Sequence, residues 1–397
     1  MKKVWKFLSY VLVAALASVV TLTMVAIHTP GAKVLLGSGI LGGEVSKLDQ
    51  LEALIEERFI GEADKTAIED AAATAMIQSL GDRWSYYIPA KDYLAYTQQM
   101  ANSYVGVGIT IQATDPGNGL QVTQVNPNGS AFEAGILAGD VLVAVNGKNV
   151  RGLDVNATAD LVRGDAGTFV DLTVERNGKE MTFHVERREL KVDVAKARML
   201  DGEIGLVTIA NFDSRCAEET IAAIESLLNQ GAKSLIFDVR NNPGGYVDEL
   251  VKVLDYLLPE GELFRSVDYT GREDVKSSDA SCLEGVPMAV LVNGNSYSAA
   301  EFFAAALSEY EAAVVVGQPT VGKGYFQVTY QLKDGSAVGL SIGKYFTPKG
   351  VSLAEAGGLT PDVVVEVDEA AFAAIYAGTL EPAQDPQIQA AVEALTK

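Results

Sequence analysis

Two residues in the stretch 286–330, VPMAVLVNGNSYSAAEFFAAALSEYEAAVVVGQPTVGKGYFQVTY, are of the types that make a nucleophile and its base. Ser298 follows a Gly/Asn/Ser turn, and Lys323 stands alone between Gly322 and Gly324. A serine hydroxyl attacks a carbonyl carbon well only when a base takes its proton. A lysine serves as that base only if burial or neighbours bring its pKa down from about 10.4 toward neutrality. The apolar run 288–292, the turn, and an amphipathic segment from Ala299 predict a strand, a tight turn and a helix. Ser298 then sits at a helix mouth, where unpaired backbone N–H groups can hold an oxyanion. Each residue also has a plainer role. Ser298-Ala-Ala-Glu301 is a capping box, and most lysines are solvated surface charges.

Three other chemistries fail on these residues. Gly317 to Gly324 is one residue short of a phosphate-binding loop, and Gly324 stands where Ser or Thr should bind a metal. The alternating segment that follows reads as a strand, so no helix N-terminus receives a phosphate. A Ser-His-Asp triad needs a histidine, and the chain has only His28, at the end of an apolar run, and His184, on the outward side of an alternating strand with Thr182 and Glu186. A lipase-like elbow needs Gly-x-Ser-x-Gly, and Gly294-Asn-Ser296-Tyr-Ser298 fails at its last position. A base for Ser298 should therefore be a lysine.

Asn-Ser-Tyr-Ser-Ala-Ala-Glu at 295–301, Val-Gly-Gln-Pro-Thr-Val-Gly-Lys-Gly at 316–324 and Gln327 resemble the carboxyl-terminal processing peptidases, or tail-specific proteases. The resemblance implies Ser298 as nucleophile, Lys323 as general base and Gln327 as the residue that orients the base. Ala300 stands where the pattern commonly has another serine, and it touches none of these roles. The loop Arg240-Asn-Asn-Pro-Gly-Gly245 follows the strand expected at 234–239, and it too matches the family. By that resemblance Gly244 or Gly245, with Ala299, supplies the oxyanion hole. Asp82-Arg-Trp-Ser-Tyr-Tyr-Ile88 matches an aromatic segment of the same peptidases, and packing is its expected role. Residues 345–350 and 358–362 match closing segments, so the resemblance runs over roughly 44–397.

The elements that position these residues follow in order. Lys2, Lys3 and Lys6 precede an uncharged apolar run at 7–27, long enough to cross a bilayer with its basic flank in the cytoplasm. The rival is a cleaved signal peptide, but the small-x-small site Ala15-Leu-Ala17 lies inside the run, which favours an anchor. The expected fold is multidomain α/β: membrane anchor or signal segment 1–28, linker 29–43, N-terminal helical region 44–102, PDZ domain 103–190, α/β peptidase core 191–368 and helical tail 369–397. In the helical region Thr66-x-x-Glu69 is the expected cap of a second helix whose inner face is Ile68, Ala72, Met76 and Leu80, ending at Gly81.

Short alternating strands with turns at Pro116-Gly, Asn128-Gly, Asn146-Gly and Asn177-Gly mark 103–189 as β-rich. Together with Tyr104-Val-Gly-Val-Gly-Ile109 and the run 134–147, they resemble a bacterial protease-associated PDZ domain. Such a domain adds a peptide strand to a sheet edge and takes the terminal carboxylate on backbone amides. Val105, Gly106, Val107, Gly108 and Ile109 are the candidates for that contact, and their apolar side chains suit an apolar, uncharged tail. Arg163 matches a residue implicated in coupling the PDZ domain to the protease, and it reads equally as an exposed arginine at a helix end.

The formal net charge of −21 disfavours nucleic acid and anionic lipid as partners. No His/Cys/carboxylate cluster suggests a metal, and no cofactor is expected. Cys216 and Cys282 could pair in an oxidising exterior, a point the sequence leaves open along with the oligomeric state, a homo-oligomer included. The reading is a serine endopeptidase acting outside the cytoplasm on proteins recognised by their C-terminal tails. Two rivals stand beside it: an inactive PDZ-peptidase scaffold that tethers tails at the membrane, and an ATP-dependent machine resting on the near-miss at 317–324.

Overall fold

The computed structural model describes residues 46–113 and 117–396, together with Ser18. The expected anchor at 7–27, Ser18 apart, and the linker at 29–43 lie outside the described residues. Among the described residues no helix is long and apolar enough to cross a membrane. The chain divides into two compact units, 1–81 and 82–397.

The first unit holds α1 (Lys47–Arg58) and α2 (Lys65–Gln78). Ser46 and Asp49 form a reciprocal capping box at the start of α1. At α2 the cap is Asp64, which accepts the Ala67 N–H at 3.1 Å, in place of the expected Thr66. Its carboxylate lies one helix start earlier and also suits the positive end of the helix. Neither helix buries a residue, and Met76 and Leu80 of the expected inner face are more than half exposed. Gly81 ends the segment at φ +68.

The second unit begins with β1 (Tyr86–Ile88), α3 (Ala90–Met100) and β2 (Ser103–Gly106). β1 pairs with a strand near the end of the peptidase core, Tyr86 opposite Gly339, so the expected helical region 44–102 is divided. The PDZ sheet follows: β3 (Ile109–Ala113), β4 (Leu120–Val125), α4 (Ser130–Ala134), β5 (Val141–Val145), β6 (Lys148–Asn149), α5 (Val155–Val162), β7 (Phe169–Arg176) and β8 (Lys179–Glu186). Its order is β3-β4-β5-β7-β8, with β6 beside β5. Val122, Leu142, Leu172 and Val174 are fully buried in its own core, each burial contributing about 1.5–3 kcal/mol. β9 (Arg188–Lys191) leaves the domain and pairs antiparallel with β2, so the PDZ domain hangs from a two-stranded ribbon.

The peptidase core opens with β10 (Ala195–Leu200), β11 (Ile204–Ile209), α6 (Cys216–Asn229), β12 (Ser234–Asp238) and α7 (Val247–Leu257). It continues through β13 (Gly261–Asp268), β14 (Glu273–Ser278), β15 (Met288–Val292), α8 (Ala299–Glu309), β16 (Ala313–Gly317), β17 (Tyr325–Gln331), β18 (Ala337–Phe346), α9 (Leu353–Ala356) and β19 (Val363–Val364). Its main sheet runs β10-β11-β12-β15-β16-β19, parallel except for the β10 pairing. The central strands are apolar throughout, as a sheet covered on both faces requires. A second, antiparallel sheet holds β1, β18, β13, β14 and β17.

The last helices are α10 (Glu369–Tyr376) and α11 (Pro386–Thr396). The expected tail is therefore partly core: Ile388 and Ala391 of α11 pack against Ile236, Ala289 and Leu291 on the second face of the main sheet. Arg240 fastens it there through Asp385 at 2.8 Å and Gln387 at 2.9 Å. Cys216 and Cys282 are both free thiols.

Candidate active site

β15 ends at Val292, and the chain turns through 293–298 into α8. The turn is fixed by side chains. Ser296 is fully buried, its hydroxyl donating to Val239 O at 2.8 Å and accepting the Asn293 N–H at 3.0 Å, so the first serine of the pair is structural. Ser298 sits at φ +60, ψ −122, a backbone conformation that an L-residue adopts only when its surroundings force it. Strain of this kind clusters at active sites and ligand clamps in folded proteins.

The force comes from Glu301. Its fully buried carboxylate takes the Ser298 N–H on Oε2 at 3.0 Å and the Lys323 N–H on the same oxygen at 2.9 Å. Oε1 takes the Thr320 hydroxyl at 2.5 Å and the Gly322 N–H at 2.6 Å. The capping-box glutamate therefore holds the serine turn and the lysine loop together, so the capping reading of 298–301 is realised in a form that also brings Ser298 and Lys323 onto one frame.

Lys323 Nζ lies 4.9 Å from the centroid of the Trp84 ring and 6.0 Å from that of Tyr297, and among the described residues it makes no ion pair. Burial brings its pKa down to about 8, while the charges of Asp82 and Glu301 pull it partly back up. The segment 82–88 was expected only to pack. Trp84 instead covers the lysine, and Asp82 accepts from Trp84 N at 3.0 Å and Ser85 Oγ at 2.6 Å to fix that ring. Tyr345 donates its phenol to the Lys323 carbonyl. Burial pushes that phenol far above its usual value, with Glu301 adding to the rise and a hydrogen bond with Ser298 opposing it.

The loop 240–245 comes in beside the serine. Asn241 and Asn293 bind each other through side chain and backbone at 3.0 Å. The Gly244 N–H is taken by Asn242 Oδ1 at 2.8 Å, so this candidate oxyanion donor is already engaged. Gly245 and Ala299 keep N–H groups with no acceptor among the described residues. A side chain on Gly244 would put its Cβ 2.7 Å from Ser298 Cβ, and one on Gly245 would meet Phe212 C at 2.2 Å. Both glycines are therefore demanded by close approach. Ser298, Lys323, Gly244, Gly245 and Ala299 all line one cleft of about 880 Å³.

Residues 203–365 match peptidase family S41, and residues 121–176 match a PDZ domain. The carboxy-terminal processing protease CtpA of Bacillus subtilis is 32% identical over 375 residues, covering 93% of this chain and 79% of that protein. The chain belongs to peptidase family S41. Within that family it is similar to the serine-type, carboxy-terminal processing proteases of the CtpA kind. A probable CtpA-like serine protease of Staphylococcus saprophyticus is 31% identical over 326 residues; the match takes in 81% of this chain and 66% of the relative's length. A putative S41 protease from Bacteroides fragilis, 16% identical, shares the fold at a TM-score of 0.54 over 85% of this chain and 92% of that one.

Other candidate residues of this S41 chain fall in different places. Gln327 lines the cleft, but its amide donates to Ser341 Oγ at 2.9 Å and Tyr325 O at 3.2 Å, and among the described residues no hydrogen bond joins it to Lys323. In the PDZ domain Val107 points into the core, and its carbonyl accepts the Ala131 N–H at 2.9 Å. Gly106 and Gly108 are buried with it, while Val105 and Ile109 are half-buried. Arg163 ends α5 as an exposed residue paired with Asp160 at 2.6 Å. The arginine that sequence reasoning missed is Arg187, which is buried and donates to Val162 O at 2.6 Å and Phe169 O at 2.8 Å. Where the ribbon meets the core, Asn102 and Asn211 exchange side-chain hydrogen bonds at 3.1 and 2.7 Å. Arg215 holds both Asn102 O and Val192 O at 2.8 Å.

Proposed function

We propose that the chain hydrolyses peptide bonds through an acyl-enzyme on Ser298, with neutral Lys323 as general base, once its PDZ domain has engaged a substrate's C-terminal tail. The observation that supports this most is the Glu301 bridge, which fixes a strained serine and a desolvated, unpaired lysine on one frame. Lys323 takes the Ser298 hydroxyl proton as Oγ bonds to the scissile carbonyl carbon. The carbonyl oxygen becomes the oxyanion, facing the free N–H groups of Gly245 and Ala299. Collapse breaks the C–N bond, and the proton passes from Lys323 to the leaving amine. Water that gives its proton to Lys323 then attacks the ester, releasing the acid and the Ser298 hydroxyl.

The tail adds as a further strand to β3, which among the described residues pairs only with β4, and apolar side chains meet Ile109 and Ile111 at its half-buried edge. The apolar run 7–27 anchors the protein, with the lysines before it on the cytoplasmic side and the peptidase outside the cytoplasm. Accessibility of the peptidase to added protease in intact cells tests that placement.

The deciding experiment incubates the full-length chain with an unfolded protein ending in an apolar tail and follows cleavage by mass spectrometry. Cleavage by the parent and by neither Ser298→Ala nor Lys323→Ala is the expected result. Cleavage that survives both substitutions would sink the assignment.

A further inference from the structure

Asp213 lines the same cleft as Ser298 and has no role in the chemistry above. The residue is 6% exposed. Its backbone is committed: the N–H is donated to Asn211 Oδ1 at 3.0 Å, and the carbonyl accepts the Cys216 N–H at 3.1 Å. Its carboxylate is not. Among the described residues no donor or cation reaches it, and burial alone pushes its pKa up to about 7. A fold rarely keeps a buried carboxylate without a partner, because desolvation is uncompensated.

Its place beside the nucleophile follows from the two glycines. A Cβ on Gly245 would lie 2.6 Å from Asp213 N, and one on Gly244 would lie 2.7 Å from Ser298 Cβ. Two consecutive residues thus span the gap between the serine and the aspartate. The wall is rigid, since Phe212 N donates to Gly244 O at 2.7 Å and Tyr246 N to Phe212 O at 2.8 Å. The titratable groups that feel the Asp213 charge are the phenols of Tyr246 and Tyr297 and the thiol of Cys216, all pushed upward chiefly by burial, the thiol to about 12. All three are neutral at pH 7. The nearest cation in sequence, Arg215, is bound to Glu219 and to two carbonyls of the PDZ ribbon.

We propose that Asp213 is a specificity residue whose carboxylate receives a lysine or arginine side chain from the substrate segment lying beside Ser298. The proposal rests on Ser298 and Lys323 being the catalytic pair. The aliphatic stem of the basic residue packs on Tyr246 and Tyr297, and its charge supplies the counter-ion that the fold leaves out. The strongly negative chain favours the approach of such a segment.

The test uses the full-length chain and a set of peptides with one apolar tail, in which each position flanking the scissile bond carries lysine, arginine or the uncharged isostere norleucine. At one position the basic residues should raise kcat/KM over norleucine by roughly 10- to 100-fold, the size of a charged hydrogen bond. Asp213→Asn should bring that ratio close to one. In the parent the ratio should grow from pH 6 to pH 8, because only the ionised carboxylate discriminates. A ratio near one at every position in the parent, or one retained by Asp213→Asn, overturns the proposal. If the parent cleaves nothing, the Ser298/Lys323 reading has failed, and equilibrium binding of the same peptides to Ser298→Ala decides: tighter binding of the basic peptides supports the subsite, and equal binding overturns it.

Discussion

Ser298 and Lys323 donate their backbone N–H groups to one and the same oxygen, Glu301 Oε2, at 3.0 and 2.9 Å. The serine turn and the lysine loop come from different strand ends, and this shared oxygen ties one to the other. A single carboxylate without exposure to water sets their separation, so register is kept by hydrogen bonds that solvent cannot compete for.

Glu301→Gln tests this directly. The amide keeps the shape but turns one acceptor into a donor facing N–H groups, at a cost of about 2–3 kcal/mol in stability. The thermal midpoint should fall, and kcat should fall further than the loss of folded protein explains. An unchanged midpoint with unchanged kcat would remove Glu301 from the site.

The pH profile follows from Lys323. With Lys323 as the proposed base, the neutral lysine is the active form, so kcat/KM should rise with pH and level off above an apparent pKa near 8. Trp84→Ala lets water reach the ammonium and moves that pKa up toward about 10.4, lowering the rate at pH 7. Asp82→Asn removes a charge that raises the lysine's pKa, so the apparent pKa should move down. Profiles measured from pH 6 to 10 check both signs, and a rate still climbing at pH 10 in the parent would contradict a desolvated base.

Gly244→Ala and Gly245→Ala should fail differently. The first places a methyl 2.7 Å from Ser298 Cβ and 2.8 Å from Ala299 N at φ +90, so it displaces the serine turn and should abolish turnover with the smaller loss of thermal midpoint. The second drives Cβ into the Phe212 backbone at 2.2 Å and should lower the thermal midpoint further. Thermal melts alongside activity separate the two, and equal effects would mean that only the loop's conformation matters.

Gln327→Ala should cost far less than Lys323→Ala. Its amide is held by Ser341 and touches the lysine through no hydrogen bond, so its loss removes cleft wall and leaves the base in place. A loss in kcat as large as that of Lys323→Ala, with KM unchanged, would show that the glutamine acts on the base after all.

Much of this site is legible in the sequence because its parts are local. A strand, a turn and a capping box place Ser298, and flanking glycines mark Lys323 and the 240–245 loop. Trp84 and Tyr345 lie in segments that the family resemblance picks out, but no spacing tells that one covers Lys323 and the other lines the cleft, and Asp213 carries no signal at all. The engaged state of the Gly244 amide depends on the rotamer of Asn242, which no pattern encodes. The helices of the first unit show the opposite failure. Their periodicity marks an apolar face at Ile68, Ala72, Met76 and Leu80, but periodicity cannot say whether anything in the chain covers it.

Arg215 has one consequence beyond its own hydrogen bonds. The PDZ domain enters at Asn102 and leaves at Val192, and one guanidinium clasps both carbonyls two residues from Asp213. The domain's entry and exit are thus tied to the core at one junction, which Asn102 and Asn211 reinforce, and Asp213 beside that junction lines the cleft. Tension on a tail held at β3 would therefore reach the core through a tie two residues in sequence from the cleft wall.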